Sequence, residues 1–224
     1  MDLLSNINRY IDHSALKPYL TYDDIEQACK EAQKYKFYAV CVNPFFVRKA
    51  YQLLKDTDIK VCSVVGFPLG ANTLKTKLVE ATTACSEGAK ELDIVWNISA
   101  FKSKDYTYVE EEIKTIICYT QGCVHKIIVE TAYLTQEEKI KAVEIVINSG
   151  ADYIKTSTGF APKGATIEDI KLFKKLSKGK IKVKASGGIK DYKTALEMIQ
   201  AGADRLGTSN SIKIMEEILN LNKK

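Results

Sequence analysis

The sequence predicts a single closed α/β barrel of the (β/α)8 type, and three observations carry that prediction. Short β-rich runs recur with centres near 39, 62, 93, 128, 154, 183 and 206, a mean spacing of about 28 residues, which fits a strand, a helix and two short loops. One stop signal repeats, in Glu87-Gly88-Ala89-Lys90, Ser149-Gly150-Ala151-Asp152 and Ala201-Gly202-Ala203-Asp204, each placing glycine where a helix ends before a strand. Eight such units suit a chain of 224 residues, close to the ~250 typical of this barrel. An open doubly wound sheet is the competitor. It calls for a glycine-rich dinucleotide loop after its first strand, and Asp12-His13-Ser14-Ala15-Leu16 offers none. Residues 1–224 are read as one barrel domain, with 216–224 as a helix end and short tail.

In chain order, Tyr10-Ile11-Asp12 is a short first strand, and Thr21 is the N-cap of a helix opening at Asp23. Strands follow at residues 37–42, 60–65 and 91–96, each rich in β-branched or aromatic side chains. The fifth strand is read over 126–130. Thr135-Gln136-Glu137-Glu138 then supplies a capping box ahead of Ile140, Val143 and Ile147 at helical spacing. The last three strands are read at 152–157, 181–185 and 204–208, and Ser209-Asn210 opens the final helix.

Composition removes several function classes. With 46% hydrophobic residues and a net charge of +5, the chain has too much apolar surface to stay disordered. No apolar run reaches the ~18 residues of a membrane span, and the first nine residues lack a charged leader with an apolar core; a cytoplasmic protein without membrane contact is expected. The basic residues are dispersed rather than set in a stripe, so nucleic acid is not expected as a partner, whereas a phosphorylated small molecule is. Six cysteines without a C-x-x-C pair, and only two histidines, argue for free thiols and against a metal site. No cofactor is expected.

Chemistry is expected at the C-terminal ends of the strands, and charges inside strands point to it. Strands covered on both faces bury charge only at a cost. Ile181, Val183 and Ala185 alternate with Lys182 and Lys184, Leu92, Ile94 and Trp96 alternate with Asp93, and Lys155 shares a face with Tyr153 and Ser157. Packing the apolar sets under the helices turns Lys155, Lys184 and Asp93 into the barrel at similar heights. A neighbouring cation and partial desolvation both favour the unprotonated, nucleophilic amine of a Schiff-base lysine. Lys184 beside Lys155 supplies the first effect, with Asp93 to move protons. Three glycine-bearing loops, Thr158-Gly159, Ser186-Gly187-Gly188 and Gly207-Thr208-Ser209-Asn210, offer backbone amides to a phosphate.

Six segments in order, spanning about residues 10 to 210, resemble the deoxyribose-phosphate aldolase family. They are Asp12-His13-Ser14-Ala15-Leu16-Lys17-Pro18, Val40-Cys41-Val42-Asn43-Pro44, Val65-Gly66-Phe67-Pro68-Leu69-Gly70, Glu91-Leu92-Asp93-Ile94-Val95 with Asn97, Lys155-Thr156-Ser157-Thr158-Gly159-Phe160, and Lys184-Ala185-Ser186-Gly187-Gly188-Ile189. The resemblance implies a metal-free class I lyase that reversibly cleaves 2-deoxy-D-ribose 5-phosphate to acetaldehyde and D-glyceraldehyde 3-phosphate. It implies Lys155 as Schiff-base nucleophile, Asp93 as proton donor and acceptor, and Lys184 as the assisting lysine. The imine is the electron sink for cleavage, which this reading places at C3–C4. Gly159, Gly187, Gly188 and Ser209 match positions near the phosphate. Asp12, Cys41 and Thr156 match positions near the substrate, each equally compatible with packing or a cap.

Departures from the family pattern are also visible. Phe160 stands where some members carry lysine, and Lys163 in the same loop is the candidate to supply that charge. The last tyrosine is Tyr192, so the tail lacks the tyrosine some members use in proton transfer. Lys182 replaces a usually small residue. A sibling Schiff-base aldolase for another sugar phosphate shares every chemical argument, and a catalytically silent sugar-phosphate-binding barrel is the alternative from another class. A homodimer is expected by analogy with such folds.

Overall fold

The computed structural model describes residues 6–221 and is a closed barrel of eight parallel strands in sequential order, β1 pairing with β8. The strands are β1 Ile11–Ala15, β2 Ala39–Val42, β3 Lys60–Val65, β4 Glu91–Val95, β5 Val124–Ile128, β6 Tyr153–Lys155, β7 Lys182–Ser186 and β8 Arg205–Thr208. Helices α1 Tyr22–Tyr35, α2 Val47–Leu54, α3 Leu74–Ser86, α4 Ile98–Lys102, α5 Tyr106–Tyr119, α6 Gln136–Asn148, α7 Ile167–Ser177, α8 Tyr192–Gln200 and α9 Ser211–Leu221 surround it. Residues 216–221 of the anticipated C-terminal segment lie in α9, and 222–224 lie outside the described residues, as do residues 1–5. Among the described residues, no helix is long and apolar enough to cross a membrane.

Local signals in the sequence set the helix ends. Thr21 and Thr135 each close a capping box, with Asp24 and Glu138, satisfying orphan amide groups at both termini. Gly88, Gly150 and Gly202 all adopt left-handed φ at the helix stops, the conformation that glycine tolerates without a Cβ penalty.

The strands have two faces of different chemistry. Val40, Val42, Leu92, Ile94, Ile127, Ile154, Val183, Ala185 and Leu206 are fully buried in the core under the helices, each worth roughly 1–3 kcal/mol of apolar burial. The inner face is divided. Ala39, Cys41, Cys62 and Val64 make a small apolar cluster on β2 and β3, while the remaining strands bring ionised side chains inward.

Candidate active site

Strand register brings the three anticipated residues together. Lys155 and Lys184 are direct neighbours across β6 and β7, and Asp93 on β4 reaches both: each ammonium lies 2.7 Å from Asp93 Oδ2. Lys184 also binds Asp12 on β1, which accepts a second bond from Arg205 at 2.8 Å. Asp12 is therefore an ion-pair partner deep in the barrel. Cys41 lies beside this group, its Sγ 3.9 Å from Asp93 Oδ2, and Cys62 is closer, 3.3 Å from Oδ1.

Three members of this network received no role in the sequence reading. Lys126 on β5 bonds Glu91 at 2.6 Å and Asp93 Oδ1 at 2.9 Å, and lies 3.9 Å from Asp12. Arg205 on β8 bridges Asp12 and Glu91 and stacks its guanidinium 3.4 Å over the Tyr38 ring. The signal that exposed Lys155 was present for these too, since Lys126 and Arg205 alternate with buried Ile127 and Leu206. Lys182 begins β7 on the same side but at the open N-terminal mouth, exposed, with its ammonium 5.5 Å over the Tyr153 ring. That position accounts for a lysine at the site of a usually small residue.

Pairing governs the electrostatics. Burial pushes the Asp93 carboxyl up, but Lys126, Lys155 and Lys184 together hold it well below the usual carboxylate range. Burial likewise opposes ionisation of Asp12, yet Lys184, Arg205 and Lys126 hold it at about 2. For Lys184 and Lys126, desolvation lowers proton affinity, and their carboxylate partners more than restore it, so both are pushed above the ordinary lysine value. Among the described residues the network holds four cations (Lys126, Lys155, Lys184, Arg205) against three carboxylates (Asp12, Glu91, Asp93). Lys155 pairs with one carboxylate only, whereas each other cation pairs with at least two.

Cys41, Cys62 and Asp93 converge their donor atoms within 4.8 Å. Those atoms are already committed to protons: Lys126 donates to Cys62 and Asp93, and burial holds the Cys62 thiol well above its ordinary value. Three ammonium groups bonded to this carboxylate make the set a poor host for a cation.

Above the network a cleft of about 620 Å³ opens at the C-terminal ends of the strands. Gly159, Gly187, Gly188 and Ser209 line it, as anticipated, and α9 starts just beyond, at Ser211. Gly187 adopts φ 82°, and a Cβ there would meet Gly164 Cα at 3.0 Å and Gly159 Cα at 3.3 Å, so the close approach of these loops demands glycine. Gly207 opens the floor: a Cβ there would stand 2.8 Å from Ser186 Oγ and 3.2 Å from Lys184 Cε. Lys155 lies below this floor with 2% of its surface exposed, and Asp93 and Lys184 have none.

The remaining anticipated residues separate. Thr156 does not line the cleft; its hydroxyl donates to Ser186 O and accepts from Ser186 N, clasping β6 to β7. Lys163 is not among the lining residues, whereas Lys17 and Lys190 are. Phe160 packs edge-on against Phe67, with centroids 5.3 Å apart. Glu130 takes a left-handed φ of 50° and accepts from the Thr158 amide and hydroxyl, pinning the loop that carries Gly159. Ser157 Oγ is buried and has no hydrogen-bond partner among the described residues.

Comparison with known proteins agrees with this geometry. Residues 6–210 match the model of the DeoC/LacD family of aldolases. The chain is 55% identical to a deoxyribose-phosphate aldolase of Aquifex aeolicus, across 96% of this chain and 97% of that one. It is 52% identical to one from Thermococcus kodakarensis, across 94% and 96%. Among solved structures, an aldolase called QR15 superposes with a TM-score of 0.94 at 54% identity, covering 97% and 98% of the two chains. A tetrameric deoxyribose-phosphate aldolase from Aeropyrum pernix gives 0.91 at 34% identity, covering 97% and 93%.

Proposed function

The chain belongs to the DeoC/LacD family of aldolases, and on that premise we propose that it reversibly cleaves 2-deoxy-D-ribose 5-phosphate to acetaldehyde and D-glyceraldehyde 3-phosphate through an imine on Lys155. It is a lyase with deoxyribose-phosphate aldolase activity. The observation that carries the assignment of steps is the sharing of Asp93 Oδ2 by Lys155 and Lys184 at 2.7 Å each.

The network's charge supports Lys155 as nucleophile. Four cations on three carboxylates leave one positive charge in excess, and Lys155 is the ammonium held by a single carboxylate. The free amine attacks C1 of the open-chain aldehyde. Asp93, bonded to both lysines, carries the proton between them as the carbinolamine loses water. Once Lys155 is uncharged, Asp93 has lost one of its cations and becomes a better base. Acetaldehyde carries C1 and C2, so the bond that breaks is C2–C3, a carbon count that corrects the C3–C4 assignment made from sequence. The electrons enter the imine to form an enamine as the C3 hydroxyl gives up its proton to Asp93. Protonation at C2 and hydrolysis release acetaldehyde and restore Lys155.

The phosphate belongs in the cleft, on Gly159, Gly187, Gly188 and Ser209, near the start of α9, with Lys17 and Lys190 in the lining. Asp12, Cys41 and Thr156 act behind the reacting atoms in this scheme. Asp12 orients Lys184, Cys41 packs beside Asp93, and Thr156 holds the strand ends that flank Lys155.

The same proposal treats the chain as one catalytic domain in the cytoplasm, working without cofactor and with a sugar phosphate as its partner. Homodimer formation belongs with it. Exposed Tyr22 and Phe45, with ring centroids 5.6 Å apart, are apolar surface for such a contact, and light scattering reads the outcome. The activity test couples acetaldehyde release to alcohol dehydrogenase: wild-type protein consumes NADH with 2-deoxyribose 5-phosphate, and Lys155→Met does not. Turnover of a different sugar phosphate in its place would move the function to a sibling aldolase.

A further inference from the structure

The barrel has a second chemically distinctive pair, at the end opposite the cleft. Cys85 is the penultimate residue of α3, and Cys123 immediately precedes β5. Both therefore sit where the chain enters strands, whereas the cleft lies where strands end. Their sulfurs approach to 2.6 Å, about half an ångström beyond the covalent S–S distance of about 2.05 Å. Cys123 Sγ also lies 3.5 Å from Ala89 O, in the turn that follows α3. Neither residue is fully buried.

We propose that Cys85 and Cys123 are a redox modification site, closing to a reversible disulfide when a peroxide reaches them. The other cysteines are placed for different fates. Cys29, Cys41 and Cys62 are buried, and burial pushes the Cys29 thiol up to about 12, the signature of inert thiols. Cys118 is exposed on α5. In the pair, the hydrogen bond from Cys85 lowers the Cys123 thiol against the opposing effect of burial, with help from Lys90. With Cys123 as the attacking sulfur and Cys85 as the resolving one, or the reverse, the same bridge forms.

The chemistry balances in two steps. Cys123 thiolate attacks one peroxide oxygen, the O–O bond breaks, and sulfenic acid and hydroxide form. The hydroxide takes up the proton that Cys123 released. Cys85 then attacks the sulfenic sulfur, the S–S bond forms, the S–OH bond breaks, and water leaves with the Cys85 proton. Two thiols are oxidised and one hydrogen peroxide is reduced to two waters. The bridge joins residues 38 apart, and so restricts the unfolded chain without touching the cleft.

The test treats the full-length protein with hydrogen peroxide, alkylates the remaining thiols and maps tryptic peptides. Cys118 and Cys123 share the peptide 115–126, so the experiment is repeated in Cys118→Ser. The expected result is a cross-link between peptides 78–90 and 115–126 in both proteins, reversed by dithiothreitol and absent in Cys85→Ala. Oxidation should raise Tm on the order of 10 °C, with aldolase kcat unchanged within about twofold, because both sulfurs lie at the far end of the barrel. Full alkylation of Cys85 and Cys123 after peroxide, or a cross-link that disappears in Cys118→Ser, would overturn the proposal. So would a bridge that forms only in urea.

Discussion

Replacing Lys126 with methionine tests whether the charge count of the buried network controls catalysis. Lys126 bonds Asp93 Oδ1 at 2.9 Å, and Lys155 bonds Oδ2 of the same carboxylate at 2.7 Å. Two ammonium groups on opposite oxygens of one carboxylate lie no further than about 8 Å apart, and at an effective dielectric near 20 their repulsion is roughly 2 kcal/mol. Removing the Lys126 charge brings the network to neutrality with every remaining cation protonated, so a free amine then costs that repulsion back. The pH at which imine formation is half-maximal should rise by about 1.5 units, and the rate at neutral pH should fall about thirtyfold. Stopped-flow imine formation across pH reads this directly, and KM should change less than about twofold, since Lys126 touches no cleft residue. The variant also leaves Glu91 without one partner, at a stability cost of about 3–5 kcal/mol, so circular dichroism must first show a folded sample. Lys126→Arg, which keeps the charge, should restore the wild-type pH profile. An unshifted profile in folded Lys126→Met would refute the charge-count reasoning.

Three further outcomes follow from the same geometry. Asp12 and Asp93 are depressed in the folded state, so the stability they confer is complete above the unfolded carboxylate value and is lost as pH falls through the folded values. For Asp12, held at about 2, this contributes on the order of 2 kcal/mol at neutral pH; urea unfolding between about pH 4 and pH 2 should therefore be flatter in Asp12→Asn. Gly187→Ala forces a left-handed φ and a 3.0 Å contact with Gly164 Cα, and should raise KM for the phosphorylated substrate at least about tenfold while leaving cleavage of unphosphorylated 2-deoxyribose nearly unchanged. Lys190→Ala should raise the same KM about fivefold, on the order of 1 kcal/mol, and Lys163→Ala should not; equal effects of the two would contradict the cleft lining.

The barrel and the clustering of Lys155, Lys184 and Asp93 inside it were legible because their signals are local. Strand β3 begins and ends where the sequence reading puts it, and the Thr21 N-cap and the Thr135 capping box both form. Misplaced strand ends have tertiary causes. β1 runs on to Ala15 because His13 finds Ser211 across the fold and stacks on Phe37, partners that no local pattern announces. β6 stops at Lys155, short of the anticipated Ser157, where the Thr156 hydroxyl takes over bonding to Ser186. β5 lies two residues earlier than expected, since Glu130 leaves the extended region to pin Thr158. The same limit applies inside the barrel. Alternation marks which charges face inward, but only register shows that Asp12, Glu91, Lys126 and Arg205 share one network, and only the loops' approach shows that Lys190 reaches the cleft while Lys163 does not. The nearness of Cys85 and Cys123 has no sequence signature, because their elements meet only when the barrel closes.

Borohydride trapping tests the central claim most directly. The protein is mixed with 2-deoxyribose 5-phosphate, reduced, digested and mapped by mass spectrometry. A reduced adduct on Lys155, abolished in Lys155→Met and retained in Lys163→Ala, is the predicted result. An adduct on Lys184 or Lys126, or no adduct in a folded and active sample, would contradict the account.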